Sequence, residues 1–376
     1  MKIGIVTFWW SSDNYGQLLQ LFALQTYLRK RGHDPFLIRY APWKDAWRFF
    51  SFSKVWHILF HPSKILSFMI NKRTDYKIRK NNIIHDRQFE GFLRETIHFT
   101  DRIYSSGDLF TDPPAADMYI TGSDQVWGAR LPHPVYFLQF GDKKVKRMSF
   151  AASFGDSLIF FHPFYYSKLK PYLNTFDLIT VRELKALEIC RNAGISEVSL
   201  IPDPTLMIEE CDYDQLCLNQ RALSYPYCLV YMLENEKFTT VKMSAVAEFI
   251  KTKGLKMMYV ASQGRFDNYS KVYPTIPQFL SYIKNADFVI TNSFHGTALS
   301  ILYARKFAAI PQREGNRTRI DTLLSLYELK SHWVEVSSQL ERVYNLPMDR
   351  VAVGSLILKY RIETDSLLSE KLSSDF

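Results

Sequence analysis

The first strand–loop–helix unit of the chain lacks the glycines that a nucleotide-binding turn requires. An apolar β-favouring run over residues 1–9 leads into "SSDNYGQLLQ", after which apolar residues recur at helical spacing. A dinucleotide site would place G-x-G-x-x-G here and a P-loop would end in Gly-Lys-Ser/Thr, but the turn offers only Gly16. These two classes of phosphate-binding loop are excluded, which leaves open what Asp13, Asn14 and Tyr15 face.

Cysteine is scarce, and long apolar runs are missing. The four cysteines, at positions 190, 211, 217 and 228, form no C-x-x-C pair and have no histidines at zinc spacing, so reduced thiols are expected. The N-terminus is too short in apolar residues for a signal peptide. Residues 55–70 are interrupted by histidine, proline and lysine, whereas a membrane span needs roughly 20 apolar residues. We therefore expect a cytoplasmic protein.

Positive charge is concentrated in one segment of the chain. Residues 42–80 hold nine lysines and arginines against two aspartates, which accounts for +7 of the net charge of +9. Eight tryptophans and phenylalanines are interleaved with them, a pattern that suits the headgroup layer of an anionic membrane. A helical flap packed on the protein is the alternative. No nucleic-acid partner is expected, because no helix-turn-helix, zinc finger or RNP-like run accompanies the patch.

Strand and helix patterns alternate along most of the chain, which is typical of parallel sheets with crossover helices. They predict an α/β fold of two Rossmann-like domains facing a central cleft, a GT-B-like arrangement with ligands at the carboxyl ends of the strands. The first domain is predicted over 1–207, the second over 208–345, and a C-terminal helical segment over 346–376.

The densest candidate for chemistry is the stretch 291–297, "TNSFHGT", between an apolar strand and a helix predicted to begin near Gly296. This position places His295 at the mouth of a strand, beside helix N–H groups that favour an anion. A lone histidine is more often structural, but the small polar residues around this one favour a functional role.

Two further turns follow predicted strands. In "ITGSDQVW", Gly122 permits a tight turn, and Asp124 and Gln125 are predicted to face outward, where a carboxylate can orient or deprotonate a hydroxyl. An Asx turn or helix cap is the alternative reading of this aspartate. "SFAASFG", which contains Ser153, is a weaker third candidate, because serine and glycine are common loop residues.

Three arginines lie near predicted element ends. Arg182 closes a strand, and Arg317 and Arg319 open a helix. A guanidinium matches phosphate or carboxylate bidentately, so two arginines reaching one cleft would suit a small ligand that carries both groups. Arginines on the surface are the alternative.

Other motifs are set aside. Asp212-Tyr-Asp214 has the D-x-D form of a metal-dependent glycosyltransferase but lies in a predicted linker, and His57 and His61 lack the glutamate of H-E-x-x-H. There is no G-x-S-x-G nucleophile elbow. We expect neither a metal site nor a serine hydrolase.

With these stretches in order, the chain resembles the polysaccharide pyruvyl transferase family. The matching pieces are "KIGIVTF" with "NYGQLLQLFAL", "ITGSDQVW", "SFAASFG", "VRE", "IPDPTL", "ITNSFHGTALSI" and "NRTRIDTLL", between residue 2 and about residue 330. The resemblance implies transfer of the pyruvyl group of phosphoenolpyruvate onto two hydroxyls of a sugar, giving a ketal on a surface glycan. It also implies a GT-B-like fold with no required metal or cofactor.

Site roles follow from the resemblance. His295 matches a histidine proposed as general acid/base, with Asp124 as a second catalytic candidate, and Arg182 and Arg319 match arginines expected near the donor. The second domain would bind the donor and the first the acceptor. Besides these two arginines, the residues assigned to the donor are Asn292, Ser293 and Arg317. The residues assigned to the acceptor are Asp13, Asn14, Tyr15, Gln125 and Ser153.

One position departs from the family pattern. Members with an arginine two residues before the histidine use it for the donor, whereas this chain has Ser293 there, so another arginine must bind the phosphate or carboxylate. The expected partners are phosphoenolpyruvate and a glycan acceptor, lipid-linked and reached at the inner membrane surface through 42–80. The rival functions are a metal-independent glycosyltransferase that uses a nucleotide sugar and a non-catalytic glycan- or membrane-binding protein.

Overall fold

The structure is a computed structural model. It describes residues 1–11, 13–49, 80–128, 132–155, 163–218, 220, 223–233, 239–262, 267–312 and 317–372, with the backbone alone for 46–49. Most of the basic aromatic segment 42–80 therefore lies outside the described residues. No helix in these ranges is long and apolar enough to cross a bilayer.

The N-terminal half is built on a parallel sheet. Its main strands are β1 (Lys2–Val6), β2 (Asp34–Leu37), β3 (Met118–Thr121) and β4 (Lys146–Ser149), hydrogen-bonded in the order β2-β1-β3-β4. Two short strands, β5 (Thr180–Val181) and β6 (Ser199–Leu200), pair with each other and continue the sheet through parallel bridges from β4 and the residues that follow it. The chain leaves β1 in one direction and returns at β3 on its other side, which opens a crevice at their carboxyl ends.

The C-terminal half repeats this plan. Its strands are β7 (Tyr227–Tyr231), β8 (Lys256–Tyr259), β9 (Phe288–Thr291) and β10 (Phe307–Ala309), all parallel in the order β10-β9-β7-β8. Read from β8, this is the same order as in the first sheet. The second crevice therefore lies between β7 and β9, and His295 lies in the first turn of the helix that follows β9.

Helices cover both sheets. The α-helices are α1 (Tyr15–Arg29), α2 (Phe89–Thr96), α3 (Ser106–Thr111), α4 (Pro163–Leu173), α5 (Leu184–Asn192), α6 (Pro204–Met207), α7 (Glu210–Cys217), α8 (Met243–Thr252), α9 (Ile276–Lys284), α10 (Phe294–Leu302), α11 (Arg317–Leu326), α12 (Gln339–Tyr344) and α13 (Arg350–Leu372). The 3₁₀-helices are Pro42–Phe49, Pro134–Phe137 and Lys330–His332.

One apolar core joins the two halves. Tyr15, in α1, is fully buried and stacks on Phe279 of α9 with ring centroids 4.2 Å apart, and its hydroxyl donates to the carbonyl of Pro274 at 2.7 Å. The long helix α13 returns to the N-terminal half, where the hydroxyl of Tyr27 donates to Asp365 at 2.7 Å. The halves are thus packed firmly against each other.

The predicted α/β architecture of two Rossmann-like units is confirmed, with differences at element ends. The helix predicted to begin near Gly296 begins two residues earlier, at Phe294. The run from Arg147 to Ser153 predicts a strand, but the strand ends at Ser149, because the backbone turns at Ala151, whose φ is 52°. No observation tests the division at 207/208, which remains a prediction.

Candidate active site

His295 lies in the first turn of α10, at the carboxyl end of β9. The helix begins here because the side chain of Ser293 accepts a hydrogen bond from the backbone N–H of Gly296 at 3.3 Å. The side chain of His295 is only 9% exposed. A buried strand and a capped helix therefore fix the backbone of the histidine, while a small part of its ring remains accessible.

Asp203, from the N-terminal half, faces the imidazole. Its Oδ1 caps helix α6, accepting from the N–H of Thr205 at 3.0 Å and from the hydroxyl of Thr205 at 2.7 Å. Its Oδ2 accepts from Ser123 Oγ at 2.6 Å and Arg182 Nη1 at 2.7 Å, and lies 3.7 Å from His295 Nε2. That last distance is an ion-pair contact rather than a hydrogen bond. Asp203 thus links His295 to Arg182, both of which were predicted to be site residues.

The Asp203 carboxyl is held ionised although it is completely buried. Burial raises its pKa, but the neighbouring His295, Arg182 and Ser123, in that order, more than compensate and leave the pKa well below its ordinary value of 3.8. A fixed negative charge next to an imidazole orients the ring and stabilises an imidazolium that forms during turnover. The pair therefore has the electrostatics of an acid/base site.

Arg182 is 2% exposed and fixed from several sides. Besides its bond to Asp203, its guanidinium carbon lies 4.4 Å from the centroid of the Phe294 ring, and Nη2 lies 4.0 Å from Asp124 Oδ1. Among the described groups, Nε and Nη2 have no hydrogen-bond acceptor, and neither does His295 Nε2. The structure thus brings Asp124, Arg182 and His295 together, with unused polar atoms on two of them.

Arg319 reaches the same region from the C-terminal half. With the amide of Gln125 oriented so that its oxygen faces the guanidinium, this oxygen accepts from Nη1 at 2.8 Å and from Nη2 at 3.1 Å. Between the two arginines lies Glu183, which is fully buried and accepts from the N–H of Phe154 at 2.9 Å. Burial raises the pKa of Glu183, and Arg182 and then Arg319 oppose this shift.

Other predicted donor residues have different partners. The amide of Asn292 accepts from the N–H of Leu233 at 2.6 Å and donates to the carbonyl of Leu233 at 2.9 Å, so it extends the sheet end. Ser293 is the helix cap. Arg317 is exposed and pairs with Glu335 at the surface, so the prediction that it binds the donor is not supported.

The residues predicted to bind the acceptor also differ in their surroundings: some are engaged within the fold, and one lines a cavity. Asn14 caps α1, its side chain accepting from the N–H of Gly16 at 3.1 Å. Tyr15 belongs to the core described above, and Ser153 is fully buried, its hydroxyl oxygen accepting from the N–H of Gly155 at 3.2 Å. These three polar groups support the fold, so their predicted contacts with an acceptor are not supported. Asp13 differs, because its side chain lines a cavity between the halves.

The D-x-D pair does not form one site. Asp212 Oδ2 binds Lys30 Nζ at 2.7 Å and takes part in the capping box of α7 with Glu209, whereas Asp214 binds Lys284 Nζ at 2.7 Å. Although ligand atoms of Glu209, Cys211 and Asp212 lie within 4.8 Å of one another, the cap accounts for both carboxylates.

Sequence reasoning missed Asp203, Glu183 and the packing role of Gly16. Asp203 stands before Pro204 and reads as an ordinary helix start, although it lies within "IPDPTL", one of the pieces that carry the family resemblance. Glu183 likewise reads as the residue before a helix. A β-carbon added at Gly16 would lie 2.1 Å from Nδ1 of His295, so this glycine is needed for close approach.

Fold and site together define a GT-B protein with a buried histidine–aspartate–arginine cluster between two Rossmann-like halves. Similar solved structures include UDP-GlcNAc 2-epimerase from Methanocaldococcus jannaschii in complex with UDP-GlcNAc and UDP, at 12% identity, covering 97% of this chain and 99% of that chain, TM-score 0.50. The UDP-N-acetylglucosamine 2-epimerase from Rickettsia bellii matches at 9% identity, 99% and 98% coverage and TM-score 0.47. The spinosyn forosaminyltransferase SpnP matches at 10% identity, 100% and 100% coverage and TM-score 0.44. At such identities the likeness concerns the fold alone.

The family is identified from the sequence. The profile of the polysaccharide pyruvyl transferase family matches residues 14–313, and the chain belongs to this family. No curated protein matches the chain significantly. The matched range includes Asp124, Arg182, Asp203 and His295, so the cluster described above lies within the part of the chain that defines the family.

Proposed function

We propose that this protein transfers the pyruvyl group of phosphoenolpyruvate onto two hydroxyls of a sugar, forming a pyruvate ketal in the synthesis of a bacterial surface polysaccharide. Membership of the family supports a polysaccharide pyruvyltransferase. The observation that carries the proposal is the buried contact of His295 with ionised Asp203, beside an arginine whose Nε and Nη2 have no acceptor among the described groups.

The reaction can be written from its substrates. A proton added to the methylene carbon of phosphoenolpyruvate makes the neighbouring carbon electrophilic, and one sugar hydroxyl attacks that carbon and loses its proton. Phosphate then leaves with its bonding electrons. The second hydroxyl attacks the resulting oxocarbenium-like centre, loses its proton and closes the ketal. The net change consumes phosphoenolpyruvate and a diol and yields the ketal and phosphate, so the enzyme must supply a proton donor, a proton acceptor and an anion site.

The cluster contains groups suited to each task. We assign the proton transfer to His295, because an imidazole can donate and accept protons near neutral pH. Asp203 would orient the ring and stabilise its charged form, and Asp124 would orient a sugar hydroxyl. Arg182 and Arg319 would bind the donor, each through a planar guanidinium that matches phosphate or carboxylate. These steps need neither a metal ion nor a cofactor.

The acceptor in this proposal is lipid-linked, and segment 42–80 holds the enzyme at the inner membrane surface. The described start of the segment supports an aromatic surface: Trp43 is 48% exposed and packs edge-on against Trp10, with ring centroids 5.2 Å apart. Trp10 is itself 38% exposed. Tryptophan at a protein surface suits the membrane interface, where its ring is apolar and its N–H can hydrogen-bond.

The test is phosphate release from phosphoenolpyruvate with a panel of lipid-linked oligosaccharides, followed by mass spectrometry for an added pyruvyl group. We expect both signals with at least one acceptor, and both about 10²–10⁴-fold weaker with His295→Asn. If a nucleoside diphosphate sugar raises the melting temperature and phosphoenolpyruvate does not change it, the protein is instead a glycosyltransferase. Glycan binding without phosphate release from any donor and acceptor pair would identify a non-catalytic protein.

A further inference from the structure

A polar cavity of about 320 Å³ lies between the two halves. The N-terminal half contributes Asp13 and Arg87, and the loops after β8 contribute the opposite wall. That wall includes Asp267 and Lys271. Ligand pockets span about 300–1,000 Å³, so this one is of a size for a single sugar ring rather than an oligosaccharide.

The described charged residues of the cavity wall are of both signs. Lys271 Nζ lies 2.6 Å from Asp267 Oδ1, and the hydroxyl of Tyr259 donates to Asp267 Oδ2 at 2.6 Å. On the other side, burial raises the pKa of Asp13, and the nearby guanidinium of Arg87 opposes that shift most strongly. The described residues of the wall thus hold two carboxylates and two cations, which balance each other in charge, together with other groups that accept from and donate to hydroxyls.

The turn before α1 connects the cavity with His295. Asp13 lines the cavity three residues before Gly16, and Gly16 touches the imidazole ring. Asp13 also lies close enough to Tyr231 to affect its ionisation, and the Tyr231 ring lies against Gly296, the residue after His295. The same turn thus contacts the cavity at Asp13 and the proposed proton donor at Gly16.

We infer that this cavity is the acceptor subsite and takes one uncharged sugar ring, with Asp13 and Asp267 accepting hydrogen bonds from its hydroxyls. The assignment of this cavity to the acceptor rests on the proposed function, whereas the preference for an uncharged sugar does not. An anionic sugar loses hydration when it enters the cavity, and a charge-balanced wall gives it no electrostatic attraction in return. The hydroxyls of a neutral sugar, in contrast, can hydrogen-bond to carboxylates and cations alike.

Saturation-transfer NMR tests the ligand without any donor. The probes are neutral methyl hexosides, N-acetylhexosaminides included, and the methyl glycosides of glucuronic and galacturonic acid. We expect the wild type to bind at least one neutral glycoside and to prefer it to either uronate. Asp267→Asn leaves Lys271 without its counter-charge and should shift preference toward the uronates, whereas Lys271→Gln should shift it further toward the neutral sugars. Each shift should be about tenfold, because one charged hydrogen-bonding partner is removed.

Asp112→Asn is the matched control, because this exposed carboxylate binds only Arg102 among the described ion pairs. It should leave both affinities unchanged, and melting curves check that every variant is folded. Wild-type preference for the uronates, binding of no probe, or parallel shifts in the two charge variants would overturn the inference. If pyruvyl transfer is observed but Asp267→Asn leaves the acceptor KM unchanged, the cavity is not the acceptor subsite and the proposed function still stands.

Discussion

The α-carbon of Gly16 lies against the imidazole of His295, so that a β-carbon at residue 16 would come within 2.1 Å of Nδ1. The two residues are far apart in sequence and belong to different halves of the molecule. The first turn of α1 therefore acts as a wall that sets the position of the ring, while Asp203 sets it from the other side at 3.7 Å from Nε2.

This contact predicts that Gly16→Ala displaces the ring. Alanine normally stabilises a helix relative to glycine by about 0.5–1 kcal/mol, but here the added methyl group should lower the melting temperature and reduce kcat by about 10²-fold. Gly91→Ala in α2 is the matched control, because its β-carbon would meet no atom within 4 Å. Calorimetry and phosphate release measure both effects. Wild-type turnover in Gly16→Ala would show that ring position does not matter for the reaction.

His295→Asn should lower kcat by about 10²–10⁴-fold with little change in melting temperature or donor binding, because a lost proton donor affects the transition state more than the ground state. His332→Asn is the comparison. This histidine is buried, its Nδ1 lies 2.9 Å from the carbonyl oxygen of Phe307, and its loss should destabilise the fold while leaving kcat of the folded enzyme near normal. Near-normal turnover in a destabilised His295→Asn would assign His295 a structural role, with Asp124 as the next candidate for the acid.

Arg319→Lys and Arg182→Lys should raise the KM for phosphoenolpyruvate and leave the KM for the sugar near its original value, because lysine cannot reproduce bidentate binding. Arg182→Lys should also lower the melting temperature, since it disturbs the buried bond to Asp203. Arg317→Lys serves as the control, since this side chain pairs with Glu335 at the surface. A change confined to the sugar KM would reassign either residue to the acceptor.

Asp203→Asn should be most destabilising near neutral pH. Folding lowers the pKa of Asp203 from 3.8, so its ionised form stabilises the protein above that pH, and this contribution is lost as the pH falls through 3.8 toward the lower folded value. The difference in melting temperature between wild type and variant should therefore shrink between about pH 7 and about pH 3. A difference that is constant across this range would mean that the charge of Asp203 does not stabilise the fold.

Segment 42–80 should bind anionic vesicles at low salt. Each basic residue near an anionic surface contributes about 1 kcal/mol, and salt screens this attraction. The test is liposome flotation of the wild type against a variant with Trp43, Trp47 and Trp56 changed to alanine, of which Trp47 and Trp56 have no described side chain. Neutral vesicles are the control. Equally poor flotation of both proteins on anionic vesicles would reject membrane binding through this segment.

The sequence predicted the elements whose signals are local, namely strands that are buried on both faces and helices that are capped by neighbouring residues. Strands such as β9 read as uninterrupted apolar runs because both faces of a parallel sheet are covered, and this placed His295 at a strand end. The partners of Asp203 could not be predicted in the same way, because Ser123 lies 80 residues away and Arg182 lies 21 residues away. The burial of Tyr15 could not be predicted for the same reason: a tyrosine in a polar turn gives no local sign that another half of the molecule will bury it.

Because α13 packs on the N-terminal half, part of that half stays uncovered until the end of the chain has been synthesised. The hydroxyl of Tyr27 donates to Asp365, and Arg361 Nε donates to the carbonyl of Leu206 at 2.8 Å. Leu368 and Leu372 are buried in the same core as α1. While the ribosome is still translating the second sheet, these surfaces of the first half have no covering. The nascent chain must therefore carry exposed apolar area until α13 emerges, and a stop codon before residue 350 would leave that area exposed permanently.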